Sequence, residues 1–211
     1  GVIMKMEKKD WIGDKNSVYK TLGASNHTDK ARQKHDFYAT DPIAIDKLKA
    51  VFDIPKRIYE CACGRGQLSE RLKELGHIVY SSDLYNHDYG ERIGIDFLQL
   101  KSLPSFLEDF SILTNPPYKF ALDFVLKGLE LVKQGNYVFM FLKVLFLEGK
   151  KRYKELYSKY PPKFVFVSTE RILCAKNADF EGMRADGGSA VAYAWFVWQK
   201  GYVGDTILKW M

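Results

Sequence analysis

Four consecutive residues, Asn115-Pro116-Pro117-Tyr118, have the types and the spacing to do chemistry on a planar amine. The two prolines fix the backbone and remove two N–H donors, so the Asn115 side chain and the Pro116 carbonyl form a rigid corner rich in acceptors. Two acceptors can bind both hydrogens of an exocyclic amino group and direct its lone pair toward an electrophile. The Tyr118 ring offers a face for a planar base. We therefore predict that these four residues are catalytic.

A loop with two glycines supplies the second set of chemically suggestive residues, within the sequence ECACGRGQ that begins at Glu60. Gly64 and Gly66 allow a tight turn and a close approach of a ligand to the backbone. Asp83 ends the next predicted strand, where a carboxylate would meet a ribose hydroxyl. Ser69 stands where the dinucleotide fingerprint needs its third glycine, and the Glu60 carboxylate suits a cation but would repel a pyrophosphate. The pattern favours S-adenosylmethionine over NAD as the cofactor.

Predicted strands and helices alternate around these motifs, which is typical of a parallel sheet with helices on both faces. We predict strands over residues 57–61, 78–82, 110–113, 137–142, 164–168 and 192–199, and helices over 42–51, 68–75, 120–132 and 150–160. The last two strands lack an intervening crossover helix, so we expect them to pair antiparallel. The expected fold is α/β and Rossmann-like, with a mostly parallel sheet of seven strands whose last strand is antiparallel.

The composition of the 211-residue chain, 46% hydrophobic and 27% charged, fits a globular domain and excludes a disordered one. No apolar run approaches the ~20 residues of a membrane span. Because no apolar leader is visible, we expect a cytoplasmic protein. The Cys and His residues lack metal-ligand spacing, so we expect no metal site.

The net charge is +6, from 32 Lys and Arg against 26 Asp and Glu, and it favours a polyanionic partner. Polar residues without periodicity fill the range 1–35, which we expect to form an arm or lid. A single catalytic domain is then expected over residues 36–211.

With these motifs in this order, the chain resembles the amino-group DNA methyltransferases, especially the adenine-N6 enzymes and their small phage-encoded members, in the gamma arrangement. The resemblance implies the class I S-adenosylmethionine-dependent methyltransferase fold. It also implies that residues 36–42 pack over the methionine part of the cofactor, that residues 83–84 hold its ribose and that residues 96–97 contact its adenine. The implied cofactor-binding residues are Phe37, Tyr38, Thr40, Glu60, Cys61, Gly64, Gly66, Asp83, Leu84, Asp96 and Phe97.

The resemblance implies DNA as the substrate, methylated on N6 of an adenine that leaves the base stack. Sequence-specific members usually carry a recognition domain after the catalytic motif. Here the last three strands need most of the residues after Tyr118, so we expect weak sequence specificity. Substrate contacts are then expected from the N-terminal arm, the basic segment 150–154 and the loop 174–189. The predicted substrate-binding residues are Lys143, Phe146, Lys176 and Phe180, with Phe180, or alternatively Phe146, stacking on the displaced base.

Other substrates and roles remain open from the sequence. The same four-residue motif occurs in enzymes that methylate RNA bases and in enzymes that methylate glutamine amides of release factors. The segment 36–42 argues against the protein-methylating branch, whose members usually have a separate N-terminal helical domain. A non-catalytic DNA-binding module on the same fold is the alternative of another class, although neither motif is broken.

Overall fold

Short apolar runs form the strands of the chain. The computed structural model describes residues 38–176, 178–185 and 189–211. The predicted arm 1–35 and Phe37 lie outside the described residues, and Lys176 is described only through its backbone. The strands are β1 (Tyr38–Thr40), β2 (Arg57–Glu60), β3 (Ile78–Asp83), β4 (Arg92–Ile93), β5 (Ser111–Thr114), β6 (Tyr137–Lys143), β7 (Phe164–Val167), β8 (Cys174–Lys176), β9 (Tyr193–Gln199) and β10 (Ile207–Trp210).

Eight of these strands form a central sheet in the order β10-β7-β9-β6-β5-β2-β3-β4. Neighbouring strands run parallel except at β9, which lies antiparallel between β6 and β7. The chain moves outward from β2 to β3 and returns to the other side of β2 at β5. This reversal creates a switch point between β2 and β5, where ligands bind at the carboxyl ends of the strands. The Rossmann-like order confirms the predicted fold class and the predicted antiparallel pairing.

The sheet differs from the prediction in two details, because it has eight strands instead of seven and its last strand is parallel to its neighbour. β10 pairs with β7, while the antiparallel strand β9 is the one before it in the chain. All four side chains of β10 are exposed. The segment therefore lacks the alternation of apolar and polar residues that marks a half-buried strand in a sequence.

The helices cover both faces of the sheet and are α1 (Ile43–Val51), α2 (Gln67–Glu74), α3 (Ala121–Leu131), α4 (Lys150–Arg152) and α5 (Phe180–Ala185). The predicted helix 150–160 is shorter than expected, because α4 continues only as a wider π-helical stretch over Tyr153–Tyr157. Asp41 lies just before α1, and its Oδ1 accepts a hydrogen bond from the Ile43 amide at 3.1 Å.

Side chains that alternate along the central strands form an apolar core on each face of the sheet. Along β6, Val138, Met140 and Leu142 enter one core, whereas Phe139 and Phe141 enter the other. β3 carries two serines at its buried carboxyl end, so polar groups replace apolar ones near the switch point.

A separate two-stranded ribbon places the start of the described chain next to a late loop. β1 pairs antiparallel with β8, with Thr40 opposite Cys174. The Asp41 amide extends the pairing by donating to the Leu173 carbonyl at 2.9 Å. Arg184 of α5 then forms an ion pair with Asp41 at 2.8 Å. The ribbon lies against Asn115, the first residue of the predicted catalytic motif.

Candidate active site

The predicted cofactor loop connects β2 to α2 and is fixed by its own backbone. The Cys63 amide donates to the Ser82 carbonyl at 3.1 Å, and the Gly64 amide donates to Asp83 Oδ2 at 2.9 Å. Gly64 and Gly66 have φ values of +53° and +81°, in the left-handed region that favours glycine. The loop therefore has its turned conformation before any ligand arrives.

The Glu60 carboxylate lies beneath this loop at the end of β2 and is almost completely buried. It accepts a hydrogen bond from Ser69 Oγ, which in turn lies 2.7 Å from Ser81 Oγ. Burial raises the pKa of Glu60 from 4.5 to about 8, against the lowering effect of the Ser69 hydrogen bond. A cation bound beside this carboxylate would favour its ionised form. The role of this carboxylate toward the cationic part of a ligand stays a prediction.

Asp83 ends β3 next to the loop and is 8% exposed. Its Oδ2 holds the Gly64 amide, and its Oδ1 accepts from the Tyr85 amide at 2.9 Å. Each carboxylate oxygen can accept a second hydrogen bond. Asp83 can therefore close the loop and still accept hydrogen bonds from hydroxyl groups.

Tyr89, which sequence reasoning missed, covers part of the cofactor loop. Its ring packs so closely against Gly66 that a Cβ atom there would lie 2.3 Å from the ring. The Tyr89 hydroxyl donates to Glu70 Oε1 at 2.5 Å and accepts from Lys73 Nζ at 3.0 Å, which ties the segment after β3 to α2. No periodicity or motif marks Tyr89 in the sequence, so only the folded chain reveals this contact.

The remaining described residues of the predicted cofactor set have mixed positions. Asp96 accepts a hydrogen bond from the Leu98 amide at 3.0 Å, and Leu84 is exposed. The Phe97 ring is buried in the core at 5.1 Å from the Phe124 ring, which leaves it little surface for an adenine. Burial raises the pKa of Cys61 well above its ordinary value, so this residue is a neutral thiol.

The catalytic motif begins where β5 ends, and its asparagine is oriented by the ribbon. Asn115 Nδ2 donates to Thr40 Oγ1 at 2.8 Å and to the Tyr38 carbonyl at 3.3 Å. Asn115 Oδ1 is buried, and no described residue donates a hydrogen bond to it. The Pro117 carbonyl accepts from the Phe120 amide at 2.8 Å. The start of the motif therefore presents one unpaired buried acceptor, Asn115 Oδ1, next to the two prolines.

Tyr118 is partly buried beside this corner, where it contacts an aromatic ring, an ammonium group and a thiol. Its ring stacks on Tyr193, with centroids 6.1 Å apart, and the Lys143 ammonium lies 5.2 Å from the centroid of Tyr118. Its hydroxyl donates to Cys174 Sγ at 3.5 Å. Burial raises the pKa of Tyr118 well above its ordinary value and that of Cys174 to about 11. Both groups therefore remain neutral near pH 7 and cannot act as bases.

Sequence reasoning missed Cys174 and Tyr193, which contact three residues of the site. Cys174 lies opposite Thr40 in the ribbon, and its sulfur is 4.0 Å from Asn115 Nδ2. The available signal was weak, because an isolated cysteine and a strand tyrosine both have common roles in a core.

The predicted substrate-binding residues separate into two groups. Lys143 lies at the site, over the Tyr118 ring, and Phe180 begins α5, which the Arg184–Asp41 ion pair ties to the ribbon. Phe146 is instead buried in the core, where its ring contacts Phe196 at 5.6 Å and Tyr157 at 6.2 Å. Its prediction as the ring that stacks on a base is wrong for this reason.

Two further features of the described residues bear on function. No group of three or more His, Cys, Asp and Glu side chains among them is arranged to hold a metal ion. None of the helices in the described ranges combines the length and the apolarity needed to cross a membrane.

Comparison with solved structures identifies the class of fold. The chain has the Rossmann-like fold of class I S-adenosylmethionine-dependent methyltransferases. It is similar to the protein Atu636 from Agrobacterium tumefaciens, a predicted O-methyltransferase, with 11% identity, a TM-score of 0.53 and coverage of 81% of this chain and 85% of that one. It is also similar to a modification subunit assigned to a type I restriction enzyme from Vibrio vulnificus YJ016, with 13% identity, a TM-score of 0.52 and coverage of 83% and 46%.

A third similar structure is a protein from Listeria monocytogenes assigned to the class I S-adenosylmethionine-dependent methyltransferases. It is 13% identical, with a TM-score of 0.49 and coverage of 78% of this chain and 61% of that one. This chain therefore spans less than two thirds of that protein and about half of the modification subunit. No protein-family model matches this chain, and none of the curated proteins compared with it matches by sequence.

Proposed function

We propose that this protein transfers the methyl group of S-adenosylmethionine to the N6 amino group of adenine in DNA. The observation that carries the proposal is the buried, unpaired Oδ1 atom of Asn115. A buried acceptor without a donor costs about 1–3 kcal/mol, so native structures normally pair it with a donor from the protein, from water or from a ligand. An exocyclic amino group is such a donor.

The orientation of the Asn115 amide follows from its partners. The Tyr38 carbonyl can only accept, so the NH₂ group of Asn115 must face it, and Oδ1 must point away. The target nitrogen would donate one hydrogen to Oδ1 and the other to the Pro116 carbonyl. The Pro116 carbonyl belongs to a backbone held by the two prolines, and the Asn115 amide is held by Thr40 and Tyr38, so both acceptors would aim the lone pair of the nitrogen. Such positioning is the main catalytic contribution that these residues can make.

The residues of the cofactor loop fit S-adenosylmethionine. Glu60 would hold the cationic methionine part, because its buried carboxylate gains a partner for its charge. Gly64 and Gly66 would allow the ligand to approach the backbone, and Asp83 would accept the ribose hydroxyls. The bound cofactor supplies an electrophilic methyl group on its sulfonium. Tyr118 would pack its ring against the adenine, and Phe180 and Lys176 of the loop before β9 would contact the displaced nucleotide.

DNA is favoured over the other substrates by three considerations. The order of the motifs resembles the adenine-N6 DNA enzymes, and the net charge of +6 suits a polyanion. One structural neighbour is a modification subunit assigned to a restriction enzyme. Methylation of an RNA base or of a glutamine amide would use the same two acceptors, so the product distinguishes these substrates.

The test uses labelled S-adenosylmethionine with pools of DNA, RNA and protein, followed by nucleoside and amino acid analysis. We expect N6-methyladenine in DNA. Asn115→Ala should lower kcat by about 100-fold or more, because misplacement of a reacting atom by ~1 Å has this effect. Its affinity for the cofactor, measured by calorimetry, should stay within twofold of the wild-type value.

A second variant keeps the Asn115 amide and disturbs only its orientation. Thr40→Val removes the hydroxyl that holds Asn115 Nδ2 and should lower kcat by about 10-fold. Normal transfer to adenine by Asn115→Ala would contradict the proposed mechanism. A labelled product found only in RNA or protein would contradict the proposed substrate.

A further inference from the structure

The positive net charge of the chain is concentrated in residues 143–163, which we call the basic region. It contains seven Lys and Arg residues against Glu148 and Glu155, a net charge of +5 within a chain whose total is +6. The rest of the chain is therefore close to neutral. A polyanion attracted to this protein meets most of its net charge here.

This region lies directly beside the candidate active site. It begins at Lys143, the last residue of β6, whose ammonium lies 5.2 Å from the centroid of the Tyr118 ring. The following turn is tied to the helical stretch behind it, since the Tyr157 hydroxyl donates to the Phe146 carbonyl at 2.6 Å. A strand that places one base in the corner at Asn115 would therefore meet the start of this region at Lys143.

The side chains of the region divide into structural and exposed groups. Arg152 is structural, because its guanidinium packs on the Phe146 ring at 5.0 Å and donates to the Leu145 carbonyl at 3.5 Å. Lys150, Lys151 and Lys154 are exposed. The most exposed large apolar side chains of the region are Leu145 at 68% and Tyr153 at 67%. Cations beside an exposed ring are typical of surfaces that bind single-stranded nucleic acid.

We propose that Lys150, Lys151 and Lys154 bind the phosphates of a single-stranded or locally unpaired DNA strand, while Tyr153 and Leu145 contact its bases. The proposal rests on the proposed function and identifies the surface that holds its substrate. In a duplex the faces of the bases are covered by their neighbours, so only unpaired bases can pack on Tyr153. An adenine that has left the stack leaves unpaired neighbours next to it.

The test measures binding of a fluorescent oligonucleotide by anisotropy at several salt concentrations, without cofactor. Replacing all three lysines, K150Q/K151Q/K154Q, should weaken binding to single-stranded DNA at least 10-fold at low salt. The slope of log K against log salt should become less steep by about 2, because each phosphate contact to a single strand contributes about 0.7. The matched control K49Q/K101Q/K209Q removes the same charge at exposed lysines elsewhere and should stay within twofold of wild type.

Tyr153→Ala tests the contact with the bases and should weaken single-strand binding about 5- to 10-fold, with less than a twofold effect on duplex binding. Equal behaviour of the two triple variants would overturn the proposed surface, as would a Tyr153→Ala effect that is the same for both forms of DNA.

These measurements need no methyl transfer, so they can fail separately from the proposed function. Loss of binding in K150Q/K151Q/K154Q with no N6-methyladenine from the wild type would retain the surface and reject the reaction. Methylated adenine from the wild type, together with unchanged DNA binding by that variant, would retain the reaction and reject the surface.

Discussion

The cofactor loop and the catalytic corner lie at the carboxyl ends of neighbouring strands, yet they satisfy their polar groups differently. In the loop, Glu60 and Asp83 each accept hydrogen bonds from the chain itself. In the corner, Asn115 Oδ1 is buried without a donor among the described residues. Both carboxylates of the loop therefore have partners in the chain, whereas the corner keeps an unpaired acceptor, to which we propose that a substrate amine donates. Binding and catalysis are thus expected to respond to different substitutions.

The two regions also differ in how far along the chain their parts come together. The hydrogen bonds of Glu60 and Gly64 in the loop join residues within 60–83, and Tyr89 packs on Gly66 from a few residues further along. In the corner, Asn115 bonds to Thr40, which is 75 residues away, and Tyr118 bonds to Cys174, which is 56 residues away. We therefore expect a substitution in the loop to disturb residues that are near it in sequence, whereas a substitution in the corner should disturb residues that are far away in sequence.

The largest effect is expected from Gly66→Ala in the loop. The new Cβ would meet the Tyr89 ring, so the ring must move and lose its hydrogen bonds to Glu70 and Lys73. With the strain of a positive φ, we expect the free energy of unfolding to fall by about 2–4 kcal/mol, measured by urea denaturation.

Gly94→Ala is the matched control for this change. Gly94 has a similar φ of +77°, and a Cβ there would meet nothing within 4 Å. Its substitution should cost only the backbone strain, about 1–2 kcal/mol. Equal losses in the two variants would show that Tyr89 does not constrain the loop.

An intermediate effect, dependent on pH, is expected from Glu60→Gln. Burial raises the pKa of Glu60 from 4.5 to about 8, so the folded chain keeps a proton that the unfolded chain releases. The free energy of unfolding should therefore fall as pH rises from about 4.5 to 8, by up to about 1.4 kcal/mol per pH unit. Glu60→Gln should flatten this dependence and stabilise the protein at pH 8.

The same variant should weaken binding of the cofactor, because a charge-assisted hydrogen bond contributes about 1.5–3 kcal/mol. Calorimetry of cofactor binding at pH 8 measures this loss. A stability profile as steep in Glu60→Gln as in wild type would indicate that another group titrates in this range.

The smallest effect is expected from Tyr118→Phe in the corner. The change removes only a hydroxyl that donates to Cys174 Sγ at 3.5 Å, and it keeps the ring that stacks on Tyr193. We expect kcat to change less than threefold and the free energy of unfolding less than about 1 kcal/mol. Tyr118→Ala should lower kcat about 5- to 100-fold, because stacking on a base is worth about 1–3 kcal/mol. Similar kcat values for these two variants would argue against a ring face as the contribution of Tyr118.

The sequence predicted the fold class and the two main motifs because each depends on local patterns. Glu60, Gly64 and Asp83 follow predicted parallel strands, and the carboxyl ends of such strands share one edge of the sheet. Asn115 follows the next inward strand, so its proximity to the loop could be expected before the structure was known. The roles of these residues toward cofactor and substrate remain predictions.

The sequence did not predict the contacts that orient these residues. β1 and β8 have three residues each, too few to show a periodicity, and their pairing depends on the whole fold. Phe146 looked available because it follows a buried strand, but a turn directs it into the core. Tyr89 reaches Gly66 only because the segment after β3 folds back over the loop.

The ribbon of β1 and β8 also has a consequence for synthesis of the protein. Thr40 and its partner Cys174 are 134 residues apart, and Trp195 Nε1 donates to the Ala44 carbonyl across 151 residues. A nascent chain on the ribosome can form the loop of β2 and β3 early, but it must wait for these late residues to orient Asn115. At about 5–20 residues per second, that delay is on the order of ten seconds. The proposed methyl transfer is therefore expected only after nearly all of the described domain has emerged.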